Sequence, residues 1–200
     1  DNPQVSTLAQ HPNIAIRIFN PVAGRAGFSR SLQLAFGFSR TNHRMHNKLM
    51  LADHSVLLTG GRNVADEYFS NTEVDFQDID IIAMGVVVRE GAASFDQYWN
   101  SPVSVPASDL LDADDSDLNL GELRAVLADL LHSQGDSEFA LALADSMLGQ
   151  AILSGEIPLA WGEAHFHADP PSKAYARDDT PEEDYLGNVL RDELDSSNGR

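Results

Sequence analysis

The stretch from residue 44 to residue 63 leaves the backbone few choices. Residues 44–51 and 56–59 are apolar-rich runs of strand length. Ala52-Asp53-His54 between them reads as a turn, and Gly60-Gly61 stops the second run. The spacing predicts two strands joined by a tight connection. In a strand, residues i and i+2 face the same way. Arg44, His46, Lys48 and Met50 therefore share one face, while Met45, Asn47, Leu49 and Leu51 face the other, largely toward a core. The glycine pair is expected to turn the chain back so that Asn63 approaches His46 and Lys48.

The surrounding pattern is that of an α/β chain. Residues 14–19 alternate with β-branched positions and read as a strand ended by Asn20-Pro21. Residues 24–37 form a Gly-, Ser- and Arg-rich connection, and 64–69 suit a short helix. Residues 74–88, rich in Ile and Val, read as one long or two short strands. Residues 92–99 read as a helix with Phe95 and Trp99 on one face, and Phe95, Tyr98 and Trp99 are expected in the core. After Pro102 the texture changes to an acidic loop at 109–117 and two amphipathic helices, 118–132 and 138–153. An irregular stretch, 158–171, and an acidic, partly helical end follow. Leu123, Val126, Leu127, Leu130 and Leu131 form the apolar stripe of the first of these helices. The expected architecture is a mixed sheet flanked by helices over residues 1–105, followed by a helical, acidic second half over 106–200.

Charge is distributed unevenly along the 200 residues. The net charge is −18, yet residues 1–51 hold six basic residues against Asp1 alone, a net +5. The remainder carries seven basic and thirty acidic residues, a net −23. A basic first quarter on an acidic body points to a localised anion site, and the acidic body argues against nucleic acid as a partner. There is no cysteine, which excludes thiol catalysis, disulfides and Cys-based zinc sites. No stretch approaches the roughly 18 apolar residues that span a bilayer. His165-Phe166-His167-Ala168-Asp169 offers three possible ligands in one loop without a fourth, too few to predict a metal site.

His46-Asn-Lys48, then Asp53, then Gly60-Gly61-Arg62-Asn63 are suited to phosphodiester chemistry. A phosphodiester carries a negative charge that repels nucleophiles. An ammonium at Lys48 and an amide at Asn63 can hold its non-bridging oxygens. An imidazole can attack phosphorus and form a phosphohistidine, and a second imidazole must protonate the leaving alcohol and later deprotonate the acceptor. No cofactor or metal is required.

These residues, at this spacing, resemble the HKD motif of the phospholipase D superfamily. The wider context is similar to one bacterial branch, the cardiolipin synthases of the C type and their phospholipase D-like relatives. The likeness runs through Ile18-Phe19-Asn20-Pro21, Asn42 to Lys48, Gly60 to Phe69, Asp78-Ile79-Asp80 and Ala93 to Asn100, about half the chain. It implies a phospholipase D-like half-domain and phosphatidyl transfer, or phosphodiester hydrolysis, on a phosphatidylglycerol-like phospholipid. It also implies peripheral contact with a bacterial cytoplasmic membrane. His46, Lys48 and Asn63 would be catalytic, with His46 as nucleophile or as acid/base. Asp78, with Asp80 as second choice, would orient His46. Asp53, Gly60 and Gly61 would be structural, and Arg44 a substrate-phosphate contact. Family members usually hold two such motifs, and only one is found here. The chain is therefore expected to be an excised part of a longer two-motif enzyme, which supplies the second half-site. The alternative is a single-motif phosphodiesterase or nuclease that completes its site by homodimerisation.

Overall fold

A computed structural model of the chain describes residues 3–21, 45–63, 78–111, 119–135, 137–174 and 185–197. Along these run α1 (Pro3–Leu8), β1 (Arg17–Phe19), β2 (Leu49–Ala52), β3 (Val56–Gly60), β4 (Asp80–Met84), α2 (Val87–Trp99) and β5 (Ser104–Pro106). Then come α3 (Leu120–Gln134), α4 (Glu138–Asp145), α5 (Met147–Ser154) and α6 (Leu186–Ser197). β2, β3 and β4 form a three-stranded antiparallel sheet, and β1 pairs with β5. The class is α/β, small sheets flanked by helices. Among the described residues no helix is long and apolar enough to cross a membrane. The chain divides into two compact units, 1–17 with 106–163 and 18–105 with 164–200.

The second unit contains the sheet. Its pleat sorts side chains by face: Leu49 and Leu51 are half-buried, while Met50 and Ala52 are exposed. The register places Leu51, Leu57 and Ala83 side by side across the three strands. Against that row packs the start of α2, where Val87 and Val88 are buried with Leu57. Leu57 and Val88 are each 1% exposed. Gly91, on the next turn, has room for no side chain, because a Cβ there would collide with Leu57 Cδ1. Phe166 packs against the same cluster from the far end of the sequence.

Residues 74–88 do not form strand throughout. β4 stops at Met84, Gly85 takes φ +94°, and Val87 and Val88 belong to the first turn of a helix. Their β-branched side chains are accepted there because they fill the core over Leu57, which outweighs local preference. The strand predicted over 44–51 is also shorter: β2 begins at Leu49. Beyond it the Lys48 carbonyl accepts a hydrogen bond from the Thr59 hydroxyl (2.8 Å), in place of a further ladder rung. The turn between β2 and β3 is tight, with Asp53 and His54 both at φ 50° and the Ser55 amide donating to the Ala52 carbonyl. Phe95 is 46% exposed rather than in the core, stacked on Trp99 at 5.6 Å.

In the first unit α1 packs on α3, with Thr7 and Leu123 buried. Asn119 and Glu122 close a capping box at the start of α3. Of the predicted apolar stripe only Leu123 is buried; Val126, Leu127, Leu130 and Leu131 are exposed. The helix predicted over 138–153 is broken in two at Ser146. This residue ends α4 in an extended conformation and caps α5 through its hydroxyl on the Gly149 amide. Residues 24–37, 64–69 and most of 109–117 lie outside the described residues.

Leu57→Ala should destabilise the second unit by about 2–5 kcal/mol, and Gly91→Val by about 1–3 kcal/mol through overpacking. The double variant should cost less than the sum, because the valine enters the space that Leu57 vacates. Urea unfolding of the three variants measures this, and strict additivity would show that the two sites do not meet.

Candidate active site

Three separated stretches meet at one end of the sheet. The β2–β3 ladder opens at Leu49↔Thr59, so the next residues outward are Lys48 and Gly60. Gly60 in turn pairs with Asp80, the first residue of β4. His46 to Lys48, Gly60 to Asn63 and Asp78 to Asp80 are thereby placed at the same end of the sheet.

His46 is exposed and Lys48 half-buried. Lys48 Nζ lies 2.8 Å from His46 Nδ1 and 3.0 Å from Nε2, and donates to the His46 carbonyl at 2.8 Å. A neutral imidazole has one acceptor nitrogen, so one of the two ring approaches is a hydrogen bond and the other a close contact. The ammonium is folded against the ring it shares a motif with.

The glycine pair does more than turn the chain, which bends at Gly61 as β3 ends. Neither Gly60 nor Gly61 is among the described residues with positive φ. What both require is space. A Cβ on Gly60 would strike Asp80 Oδ1 and the Ile79 carbonyl, and a Cβ on Gly61 would strike the Asp78 carboxylate. Besides bending the chain after β3, they let β4 and the aspartates that lead into it approach the end of β3. Arg62 then binds what has been brought close, with Nε on Asp80 Oδ2 at 2.7 Å and Nη2 on the Asp78 carbonyl at 3.2 Å. Asp78 Oδ1 accepts from the Ile79 amide at 2.9 Å. The contacts described at the His46 ring are with Lys48, and those of the Asp78 carboxylate are with Gly61 and Ile79. Asn63 is half-buried, two residues beyond Gly61, and Asp53 lies in the hairpin turn at the opposite end of β2. Arg44 and His43 lie outside the described residues.

A cleft of about 290 Å³ opens beside His46. Phe19, Met45, His46 and Asn47 line one part, and Tyr98, Asp169, Pro170, Pro171, Lys173 and Ala174 the other. The second group comes largely from segment 164–174, which is tied down at several points. Glu90, next to Gly91 on α2, accepts from the Phe166 amide (2.7 Å) and contacts His165 Nδ1 at 3.3 Å. The Asp169 carbonyl accepts from the Tyr98 hydroxyl (2.8 Å) and, at 3.5 Å, from Asn47, the residue between His46 and Lys48. The Asp169 carboxylate binds Lys173 Nζ at 2.7 Å and the Leu186 amide at 3.0 Å. The Phe166 amide and His165 hold the Glu90 carboxyl below its ordinary pKa, whereas burial and the nearby Asp169 carboxylate push the Tyr98 phenol up.

Sequence reasoning missed Tyr98, Asp169 and Lys173 as lining of the cleft. The local signals were the i,i+4 spacing of Asp169 and Lys173 and the cluster at 165–169, which had been weighed for a metal. His165 turns to Glu90 and Asp169 to Lys173. Among the described residues no three metal-ligating side chains converge.

No protein-family model matches the chain, and no solved structure matches it. Curated proteins do. Over 170 residues, 83% of this chain, it is 34% identical to a protein named Cardiolipin synthase C from Escherichia coli (strain K12), covering 34% of that protein. Two uncharacterised proteins of Helicobacter pylori, from strains J99 and 26695, are 32% and 30% identical over 183 residues. Each match takes in 90% of this chain and 35% of the relative. The chain is thus homologous to a stretch of each, and spans about a third of the length of these relatives.

The depressed Glu90 pKa gives a signed expectation. A carboxyl whose folded pKa lies below its usual 4.5 stabilises the fold above that value, and the contribution is lost as pH falls through the folded pKa. The Phe166 amide should therefore be protected from hydrogen exchange at neutral pH and lose that protection only below the usual carboxylate range. In Glu90→Gln protection should be weak already at neutral pH. Equal protection in both proteins would remove the Glu90 clamp from this account.

Proposed function

We propose that the chain supplies one half-site of a phospholipase D-type enzyme that transfers phosphatidyl groups, or hydrolyses phosphodiesters, on phospholipids, in the manner of a cardiolipin synthase. The observation that carries this reading is the His46 ring held against the Lys48 ammonium at the edge of a cleft. Homology to a stretch of a cardiolipin synthase supports the lipid as substrate.

In the first step one ring nitrogen of His46 forms a bond to phosphorus and the bond to the leaving alcohol breaks. The leaving oxygen takes a proton from an imidazole of the second half-site. In the second step an acceptor alcohol or water attacks the phosphohistidine, gives its proton to that second imidazole, and frees His46. Were the two histidines to exchange roles, His46 would be the proton carrier. Lys48 and Asn63 stabilise the charge on the non-bridging oxygens. Asp78, with Asp80 as second choice, orients the His46 ring in the completed site. Arg44, two residues before His46, adds a further cation for the phosphate. The partner half comes from the same longer protein, and the substrate is a phosphatidylglycerol-like lipid. Its bilayer would be the bacterial cytoplasmic membrane, met peripherally.

The test is lipid product formation by the longer protein that carries this chain, supplied with phosphatidylglycerol vesicles. His46→Ala should lower the rate by about 10²–10⁴-fold, and Lys48→Ala should impair it as well. Absence of product from any phospholipid with the unsubstituted protein would reject the reading.

A further inference from the structure

The cleft beside His46 has a wall that the motif does not supply, and that wall carries a cation. Segment 164–174 is anchored by Phe166 in the core, by Glu90 on the Phe166 amide, and by Tyr98 and Asn47 on the Asp169 carbonyl. Lys173 stands on this fixed wall and lines the same cleft as His46. Its ammonium is 2.7 Å from Asp169 Oδ2 and 5.0 Å from the centre of the Tyr185 ring, with the side chain 44% exposed. Asp169 does not hold it exclusively. That carboxylate also accepts from the Leu186 amide, and an ammonium has three donors, of which Asp169 occupies one. In a chain of net charge −18, an anion reaching His46 needs local positive charge, and Lys173 offers it within the same cleft.

We propose that Lys173 is a substrate-binding residue of this cleft, donating to an anionic oxygen of the phosphate ester whose phosphorus lies at His46. Phe19 and Met45 take the carbon portion beside it. The inference rests on the reading of His46 as a group that reacts at phosphorus. It adds a cation contributed from more than one hundred residues beyond the motif, and it assigns segment 164–174 to substrate recognition.

The test follows His46 ring and Lys173 side-chain resonances of the full 200-residue chain during two titrations. One uses inorganic phosphate, the other a short-chain phosphatidylglycerol below its micelle concentration. Both residues should shift together with each probe. Lys173→Gln should weaken binding by about 5- to 10-fold, Lys173→Arg should restore it, and Asp169→Asn, which removes the competing carboxylate, should tighten it. Core amide signals of Leu57 and Val88 report that the variants are folded. Unchanged affinity in Lys173→Gln and Asp169→Asn, with His46 still shifting, would reduce Lys173 to a brace for Asp169 and leave the phosphodiester reading standing. A Lys173-dependent response to inorganic phosphate alone would keep the cation site and remove the lipid as its source. No shift at His46 with either probe would overturn both the inference and the reading it rests on.

Discussion

Leu57 resting on Gly91 is the contact from which the site is built. Leu57 is the second residue of the middle strand, and its side chain occupies the space that any other residue at position 91 would need. That close approach fixes how near α2 comes to the sheet. Fully burying one leucine side chain contributes about 1.5–3 kcal/mol, so the contact is a sizeable share of a small core. Its consequence is positional. Glu90, adjacent to Gly91, meets segment 164–174, and Tyr98, two turns along the same helix, meets Asp169. One helix, seated by one leucine, supplies two of the anchors of segment 164–174.

An acidic chain that handles anions must deal with its own carboxylates. Near the candidate site each one among the described residues meets a donor. Asp80 is bound by Arg62, Asp169 by Lys173 and the Leu186 amide, and Glu90 by the Phe166 amide and His165. Asp78 turns back on the amide of Ile79. These contacts spread negative charge over donors already present, while His46, with Lys48 folded against it, lines the cleft. The Gly60-Gly61 pair belongs to the same arrangement, since without it the aspartates of β4 could not come close enough for Arg62 to bridge them.

Local structure was legible in the sequence where local rules decide it. The turn at 53–54, strand β3 and the later part of α2 follow from alternation, turn residues and helical spacing. The α/β class with a helical second half follows in the same way. Legibility failed where packing overrode preference. Val87 and Val88 look like strand but fill the core from a helix, and Ser146 splits a helix whose apolar pattern runs straight through it. At the site, His46 and Lys48 touch, but both precede β2, so the contact comes from the Lys48 side chain folding back on His46 and not from the strand alternation on which a shared face was expected. The pattern did not yield the wall formed by Asp169 and Lys173. Asn47 and Asp169 are 122 positions apart, and nothing periodic links them. The second role of the glycines was not legible for a related reason: a bend can be inferred from neighbours in sequence, whereas close approach depends on residues seventeen to twenty positions away.

The most direct test of the account is where a phosphate-like anion binds this chain. Crystals soaked in tungstate would give an anomalous signal that needs no prior assumption about position. The account predicts a peak within hydrogen-bond reach of His46 and Lys48, inside the cleft closed by Tyr98, Asp169 and Lys173. A tungstate ion bound only elsewhere, with the His46 ring enclosed by core side chains, would contradict it.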